Sequence, residues 1–275
     1  MRERAISAAV LVPVLLAVLA LGGDAIALVV ALVVTIGAIE VFRLLHAAGY
    51  GSFPALGTAL ALTLVLDAAF PQVLDGSGLL LAAVGIVLVA VAGFTRSDPR
   101  DGLSSWMATV FGAFYVAMLA FLVRLGSVAP DIPAGAPLEA LGAERGWILL
   151  LVLAVWGYDT GAYLLGRRFG RARFLAHISP SKTYAGLVGG VVATTAVVAI
   201  LLWGLGQDPR HAVLLGPLAA LAAQAGDLAE SALKRAAGAK DSGTLIPGHG
   251  GMLDRIDSFL FAAPLVTLYV VALVR

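Results

Sequence analysis

Apolar residues in this chain fall in long unbroken runs, not in alternation with polar ones. Nine such runs stand near residues 6–21, 25–45, 54–70, 78–94, 103–125, 146–165, 184–205, 212–233 and 257–274, parted by charged or Gly/Pro-rich breaks. Each is close to the ~20 residues a helix needs to cross a hydrocarbon core of roughly 30 Å. Strands of a membrane barrel would instead alternate apolar and polar side chains over about 10 positions. A lipid-exposed segment outside a barrel must satisfy its own backbone groups, which only a helix does. The pattern therefore predicts an all-α polytopic membrane protein with about nine transmembrane helices. The first run follows Arg2 and Arg4, as a signal peptide would. The second begins after only Gly22, Gly23 and Asp24, which favours a tight helical hairpin.

Composition supports the same class. Apolar residues make up 60% of the 275, charged residues only 13%, and mean hydropathy is +0.98. A soluble domain carries roughly a quarter charged residues, and a single core of this size could not hide so much apolar surface. Disorder is excluded, because it requires low hydrophobicity and high charge. The net charge of +1 implies no nucleic-acid partner, and the absence of cysteine removes disulfides, thiolate metal sites and cysteine nucleophiles.

Charge placement orients the helices. With nine spans and a cytoplasmic N-terminus, the inner side receives Arg2, Arg4, Arg43, Arg96, Arg100, Arg167, Arg168, Arg171, Arg173, Lys182, Lys234, Arg235, Lys240 and Arg255. The outer side receives Arg124, Arg145, Arg210 and Arg275, a bias of 14 to 4 that the positive-inside rule requires. The C-terminus is then external. Residues 1–145 have short loops and few polar groups, which predicts a scaffold of transmembrane helices. Glu40 and Arg43 read as an i,i+3 pair near the cytoplasmic interface. Polar chemistry concentrates in 146–275, the expected catalytic region.

Three segments of that region carry the chemistry, and all are expected on the inner face. In the first, Asp159, Tyr163 and Arg167 recur at i, i+4 and i+8, on one helical face. A carboxylate within a span is costly and marks a functional candidate; a structural network with Tyr163 or Arg167 is the other reading. The second, Ser179-Pro180-Ser181-Lys182-Thr183, enters the seventh run. Its hydroxyls, lysine and helix N-terminus suit a phosphate, or else they are an ordinary cap with a lysine at the headgroups. The neighbouring arginines, Arg167 to Arg173, read as a patch that attracts anionic lipid.

The third segment is the richest. Asp227, Glu230, Ser231 and Lys234 form one stripe of the eighth helix; Lys240, Asp241 and Ser242 follow; Gly248-His249-Gly250-Gly251 leads to Asp254, Arg255 and Asp257. So much charge between two membrane helices must line a cavity or meet water. Carboxylates without cysteine favour a hard cation such as Mg²⁺. The lysines and arginines favour polyphosphate, and the glycines permit close backbone approach before a helix N-terminus. Together these are the parts needed for phosphoryl or nucleotidyl transfer.

The stretch from Ser231 to Asp257 resembles the signature of the phosphatidate cytidylyltransferases, or CDP-diacylglycerol synthases: Ser-x-apolar-Lys-Arg, four residues, Lys-Asp, then His-Gly-Gly-apolar-x-Asp-Arg-x-Asp. The segments around Asp159 and Ser179 resemble the family too, so the likeness covers about residues 150–258. One position departs from it: Ala185 stands where the family often has Glu. The resemblance implies that CTP and phosphatidic acid give CDP-diacylglycerol and pyrophosphate in phospholipid biosynthesis, at the bacterial inner (cell) membrane with the site facing the cytoplasm. It implies Asp227 and Asp254 as metal carboxylates, with Mg²⁺ as the catalytic ion and a second cation such as K⁺. It places Lys234, Arg235, Lys240, Asp241, Arg255 and Asp257 in the catalytic set. Asp159, Ser179, Ser181, Lys182, Thr183, Ser231, Gly248, His249, Gly250 and Gly251 fall to substrate binding. CTP, phosphatidic acid, the bilayer and a second copy of the chain are the expected partners.

Two other readings share these residues. A CTP-using membrane kinase would need the same phosphate parts. An ion-coupled transporter would use Asp159, Asp227 and Glu230 as relays, but their expected place at one membrane face, without an inverted repeat, disfavours it. The Asp-x-x-Asp-Gly run of the CDP-alcohol phosphotransferases is absent.

Overall fold

A computed structural model describes residues 13–74, 77–245 and 250–274. The first apolar run is helical over residues 13–21, and its earlier part lies outside the described residues. The helices that follow are α1 (Gly23–Ala47), α2 (Pro54–Ala69), α3 (Gly78–Gly93), α4 (Pro99–Ala117), α5 (Ala120–Val128), α6 (Gly142–Phe169), α7 (Tyr184–Gly204), α8 (Ala212–Ala236) and α9 (Leu253–Tyr269). Single helical turns sit at Pro71–Leu74, Glu139–Leu141 and Pro209–His211, and a wider turn, Val270–Val274, continues α9. Among the described residues there is no β-strand, and an isolated antiparallel bridge joins Arg173 and Thr183.

Five of these helical stretches are long and apolar enough to cross a membrane, and a sixth exists if α4 and α5 count as one span bent by 42°. Helices α2 and α3 are apolar but 16 residues each, about 24 Å at 1.5 Å per residue, short of a full hydrocarbon core. Large side chains on the outside, such as Leu28, Leu80, Val87, Val192, Ile200 and Trp203, are exposed. Water would penalise that surface, whereas lipid accepts it.

The chain divides into two compact units. One holds the described residues up to Val123 together with Leu233–Ile256; the other holds Arg124–Ala232 and the described residues from Asp257 onward. In the first unit, α1 packs on α2 and α4, and α2 on α3. Helix α1 presents Val34, Ala38 and Val41, all fully buried. Its Gly37 lies against Val116 and Ile256, so a side chain at 37 would touch both. That contact brings α1 to the residues that begin α9.

In the second unit, α6 and α7 form the principal helix pair. Small residues make their crossing close: a Cβ at Gly161 would fall 2.5 Å from the Gly189 carbonyl and from Ala193. The ring of Tyr158 fills the space that a side chain at Gly190 would need. Between membrane helices, where lipid competes equally for apolar surface, such close contact supplies the attraction. It also brings the loop of residues 170–183 to the end of α6.

Candidate active site

In the first unit the site is built where α8 ends and α9 begins. Gly238, with φ of +67°, takes the left-handed conformation that stops a helix, and Ala239 N–H closes on Lys234 O at 2.8 Å. Lys234 and Arg235 therefore occupy the last turn, where the helix dipole favours cations. The Lys234 ammonium donates to Asp254 Oδ1 at 2.6 Å. Asp254 lies in the first turn of α9, where the dipole favours an anion.

The other oxygen of Asp254 is held by three donors. Oδ2 accepts from Gly251 N at 2.8 Å, Ser242 N at 2.9 Å and Ser242 Oγ at 2.8 Å. The pair is nearly dry, with side-chain exposures of 12% for Lys234 and 9% for Asp254. Gly250 has φ of +82°, and a Cβ there would stand 2.6 Å from Asp254 Oδ2. Only glycine fits both the conformation and the space. Lys240, Asp241 and Arg255 are exposed around this cluster, and Arg235 donates to Ala239 O at 2.9 Å. Gly248 and His249 lie outside the described residues.

Glu40 also belongs here, which sequence reasoning missed. It is buried on α1, and its carboxylate faces Ser242, Met252 and Leu253, not Arg43. Oε1 accepts from Met252 N at 3.0 Å; Oε2 accepts from Leu253 N at 2.7 Å and lies 3.0 Å from Ser242 Oγ, whose single proton it shares with Asp254 Oδ2. The available signal was an acid inside an apolar run; the local i,i+3 spacing pointed to the wrong partner.

In the second unit, residues 170–183 leave α6 and return to α7. Tyr184 N–H donates to Ala172 O at 3.1 Å and Phe174 N–H to Lys182 O at 3.3 Å, with the Phe174 and Tyr184 rings 5.3 Å apart. Thr183 is the cap of α7, its hydroxyl accepting from Gly186 N at 3.1 Å. That leaves the Lys182 side chain to cross to α8, where its ammonium pairs with Asp227 Oδ2. Ser231, one turn on, donates to Asp227 Oδ1 at 3.4 Å. Ser179 is buried and Ser181 exposed.

Gly226 fixes where Asp227 sits. A side chain at 226 would run into the Asp257 carbonyl, and its Cβ would be 3.2 Å from Ser258 Cα, so α8 and α9 touch backbone to backbone there. Asp257 accepts from Ser258 N at 2.6 Å, and Glu230 is fully buried. On α6, Arg167 donates to the Tyr163 hydroxyl at 3.0 Å, which settles how those two pair, while Asp159 is exposed.

Each unit thus holds an aspartate opposed by a lysine and steadied by a serine. The donor set is hard, carboxylates and hydroxyls, and the chain has no cysteine; such a set suits Mg²⁺, which keeps waters and takes one or two carboxylates together with substrate phosphates. Among the described residues no three acidic or histidine side chains gather into a ready-made metal cage.

Comparison with known proteins gives the family. The sequence profile of the cytidylyltransferase family matches residues 2–273. A phosphatidate cytidylyltransferase of Synechocystis is 36% identical over 293 residues, covering 98% of this chain and 97% of that protein. One from Staphylococcus aureus is 42% identical over 127 residues, 46% of this chain and 49% of its own length. The chloroplastic phosphatidate cytidylyltransferase 4 of Arabidopsis thaliana is 38% identical over 207 residues, 70% of this chain and 52% of its own length.

Proposed function

The chain belongs to the cytidylyltransferase family, and from that membership we propose its reaction: CTP and phosphatidate give CDP-diacylglycerol and pyrophosphate, for phospholipid synthesis. A phosphate oxygen of phosphatidate attacks the α-phosphorus of CTP, and the bond from that phosphorus to the oxygen bridging the α- and β-phosphates breaks, so that this oxygen leaves as a terminal oxygen of pyrophosphate. The observation that carries this reading is the Ser231–Asp257 signature in a chain matched by the family profile from end to end.

The two lysine–aspartate pairs suit a substrate that is a polyanion bearing a cation. Phosphates can replace the carboxylates on Lys182 and Lys234, and a cation can replace the lysines on Asp227 and Asp254. Asp227 and Asp254 are the residues that would hold Mg²⁺, and a second cation such as K⁺ is part of the same reading. Bound Mg²⁺ would supply charge neutralisation for the approach of one anion to another and for pyrophosphate leaving. Phosphatidate is already an anion, so no strong base is required. In this reading Lys240, Arg235 and Arg255 would bind phosphate oxygens, arginine by two-pronged contacts. Asp159, Ser179, Ser181, Thr183, Gly248 and His249 complete the binding set in this reading, with residues 1–145 as scaffold and a homodimer as the assembly.

The decisive assay offers the purified protein CTP labelled at either the α- or the γ-phosphate, with phosphatidate and Mg²⁺. Label from the α position should enter the lipid, and label from the γ position should leave as pyrophosphate. Entry of γ-label into lipid would mean a kinase and overturn the assignment.

Nine spans with the N-terminus and the site in the cytoplasm follow from the 14-to-4 charge bias. Because the chain has no cysteine, single cysteines at positions 240 and 208 report topology directly. In intact cells an impermeant thiol reagent should label position 208 and spare 240. The opposite pattern would put the nucleotide site on the wrong side for cytoplasmic CTP.

A further inference from the structure

The first turn of α9 is capped partly from elsewhere in the chain. Gly251 stands where a Ser or Thr would ordinarily accept from the second or third N–H of the helix. Half of a capping box is present, because Asp254 reaches back to Gly251 N at 2.8 Å. The other half comes from a residue more than two hundred positions away. Glu40 accepts from Met252 N and Leu253 N, backbone donors at the start of α9 that no carbonyl within the helix can serve. It then takes the Ser242 hydroxyl at 3.0 Å, and that same hydroxyl lies 2.8 Å from Asp254 Oδ2.

The surrounding glycines are shaped to this carboxylate. A Cβ at Gly251 would fall 2.5 Å from Glu40 Oε1, and one at Gly243 would fall 2.6 Å from the same oxygen. Glu40 is 4% exposed, in an otherwise apolar stretch of α1. An acid so buried is retained at a cost, and here five neighbours are arranged around it. Apolar packing would not require a carboxylate here.

We propose that Glu40 is a positioning residue for the reaction: it caps α9 from α1 and, through Ser242, fixes the orientation of the Asp254 carboxylate for its cation. The inference rests on the reading of Asp254 as a metal carboxylate. It places a determinant of the site in the half of the chain read as scaffold, outside the signature.

Glutamine at position 40 tests it, being nearly the same size. Its oxygen can accept from only part of the set, and its amide would face donors. Binding of Mn²⁺ to the purified protein, followed by electron paramagnetic resonance, gives a readout independent of turnover. In Glu40→Gln the Mn²⁺ dissociation constant should rise about tenfold, kcat should fall about 10- to 100-fold, and KM for phosphatidate should hold within twofold. Arg43→Ala, which removes the neighbour suggested by sequence spacing, should leave all three unchanged. Asp254→Asn, run beside them, should lose Mn²⁺ binding outright.

Wild-type Mn²⁺ affinity in Glu40→Gln would overturn the proposal; if Asp254→Asn had meanwhile lost binding, the metal reading of Asp254 would stand without it. Weakened binding in Glu40→Gln beside normal binding in Asp254→Asn would also overturn it, since Glu40 would then act by another route. Should Glu40→Gln fail to fold, Ser242→Ala removes only the bridge. It should weaken Mn²⁺ about threefold, and an unchanged affinity there would overturn the proposal equally.

Discussion

Asparagine in place of Asp254 or of Asp227 should lower kcat by about 10³-fold or more, roughly 4 kcal/mol of transition-state stabilisation, while the protein still inserts and purifies as a monodisperse species. The argument is one of charge. Mg²⁺ binds anionic oxygen, and an amide offers a neutral oxygen and a donor in its place. The two variants should differ in stability. Asp254 accepts from Lys234 and from three further donors in a nearly dry setting, so its replacement leaves a buried lysine unopposed. Asp227 and Lys182 are each 22% exposed, and water can take over part of that pairing. Asp254→Asn should therefore melt at a lower temperature than wild type, and Asp227→Asn at nearly the wild-type temperature. Turnover near wild type at saturating Mg²⁺ in either variant would remove that residue from the metal set. If both were active, Asp159, Asp241 and Asp257 would be next.

The apolar runs located the helices well, because a helix in lipid has to be continuously apolar. The run at 184–205 is α7 within one residue, and the run at 25–45 is α1 within two. The ends erred where polar residues continue a helix beyond its apolar part. The run at 146–165 extends as α6 over Gly142–Phe169 because Glu144, Arg145, Arg167 and Arg168 are helical too. The 42° bend between α4 and α5 has no proline or charge to announce it. The runs at 54–70 and 78–94 are α2 and α3 within one residue, 16 residues each.

At the site, residues close in the chain were legible and distant partners were not. Asp254 and the Gly250 turn were visible as one motif. Lys182 looked like a phosphate or headgroup ligand, and its pairing with Asp227, 45 positions on, needed the α6–α7 crossing to bring the loop home. Glu40 is the sharper case: spacing rules see three or four residues along a helix, and its partners lie more than two hundred away.

The last expected result separates nucleotide binding from general attraction to the membrane. Lys240, Arg255, Arg171 and Arg173 are all exposed, so a negatively charged bilayer surface should act on them alike, at about 1 kcal/mol each. They differ in their neighbours. Arg255 follows Asp254 directly on α9, and Lys240 stands two residues before Ser242, which binds Asp254 through both N–H and hydroxyl. Arg171 and Arg173 lie in the loop between α6 and α7; Arg173 uses its backbone to bridge Thr183. If the first pair contacts the phosphates of CTP, Lys240→Ala and Arg255→Ala should each lose about 2–4 kcal/mol of transition-state stabilisation, roughly 30- to 1,000-fold in kcat/KM for CTP. Arg171→Ala and Arg173→Ala should lose less than about fivefold. The measurement holds phosphatidate at a fixed surface concentration and repeats each assay at high salt. Salt should shrink the small losses by screening and leave the large ones in place, because close contacts within a site are screened least. Equal losses in all four variants, vanishing together at high salt, would withdraw Lys240 and Arg255 from the nucleotide site.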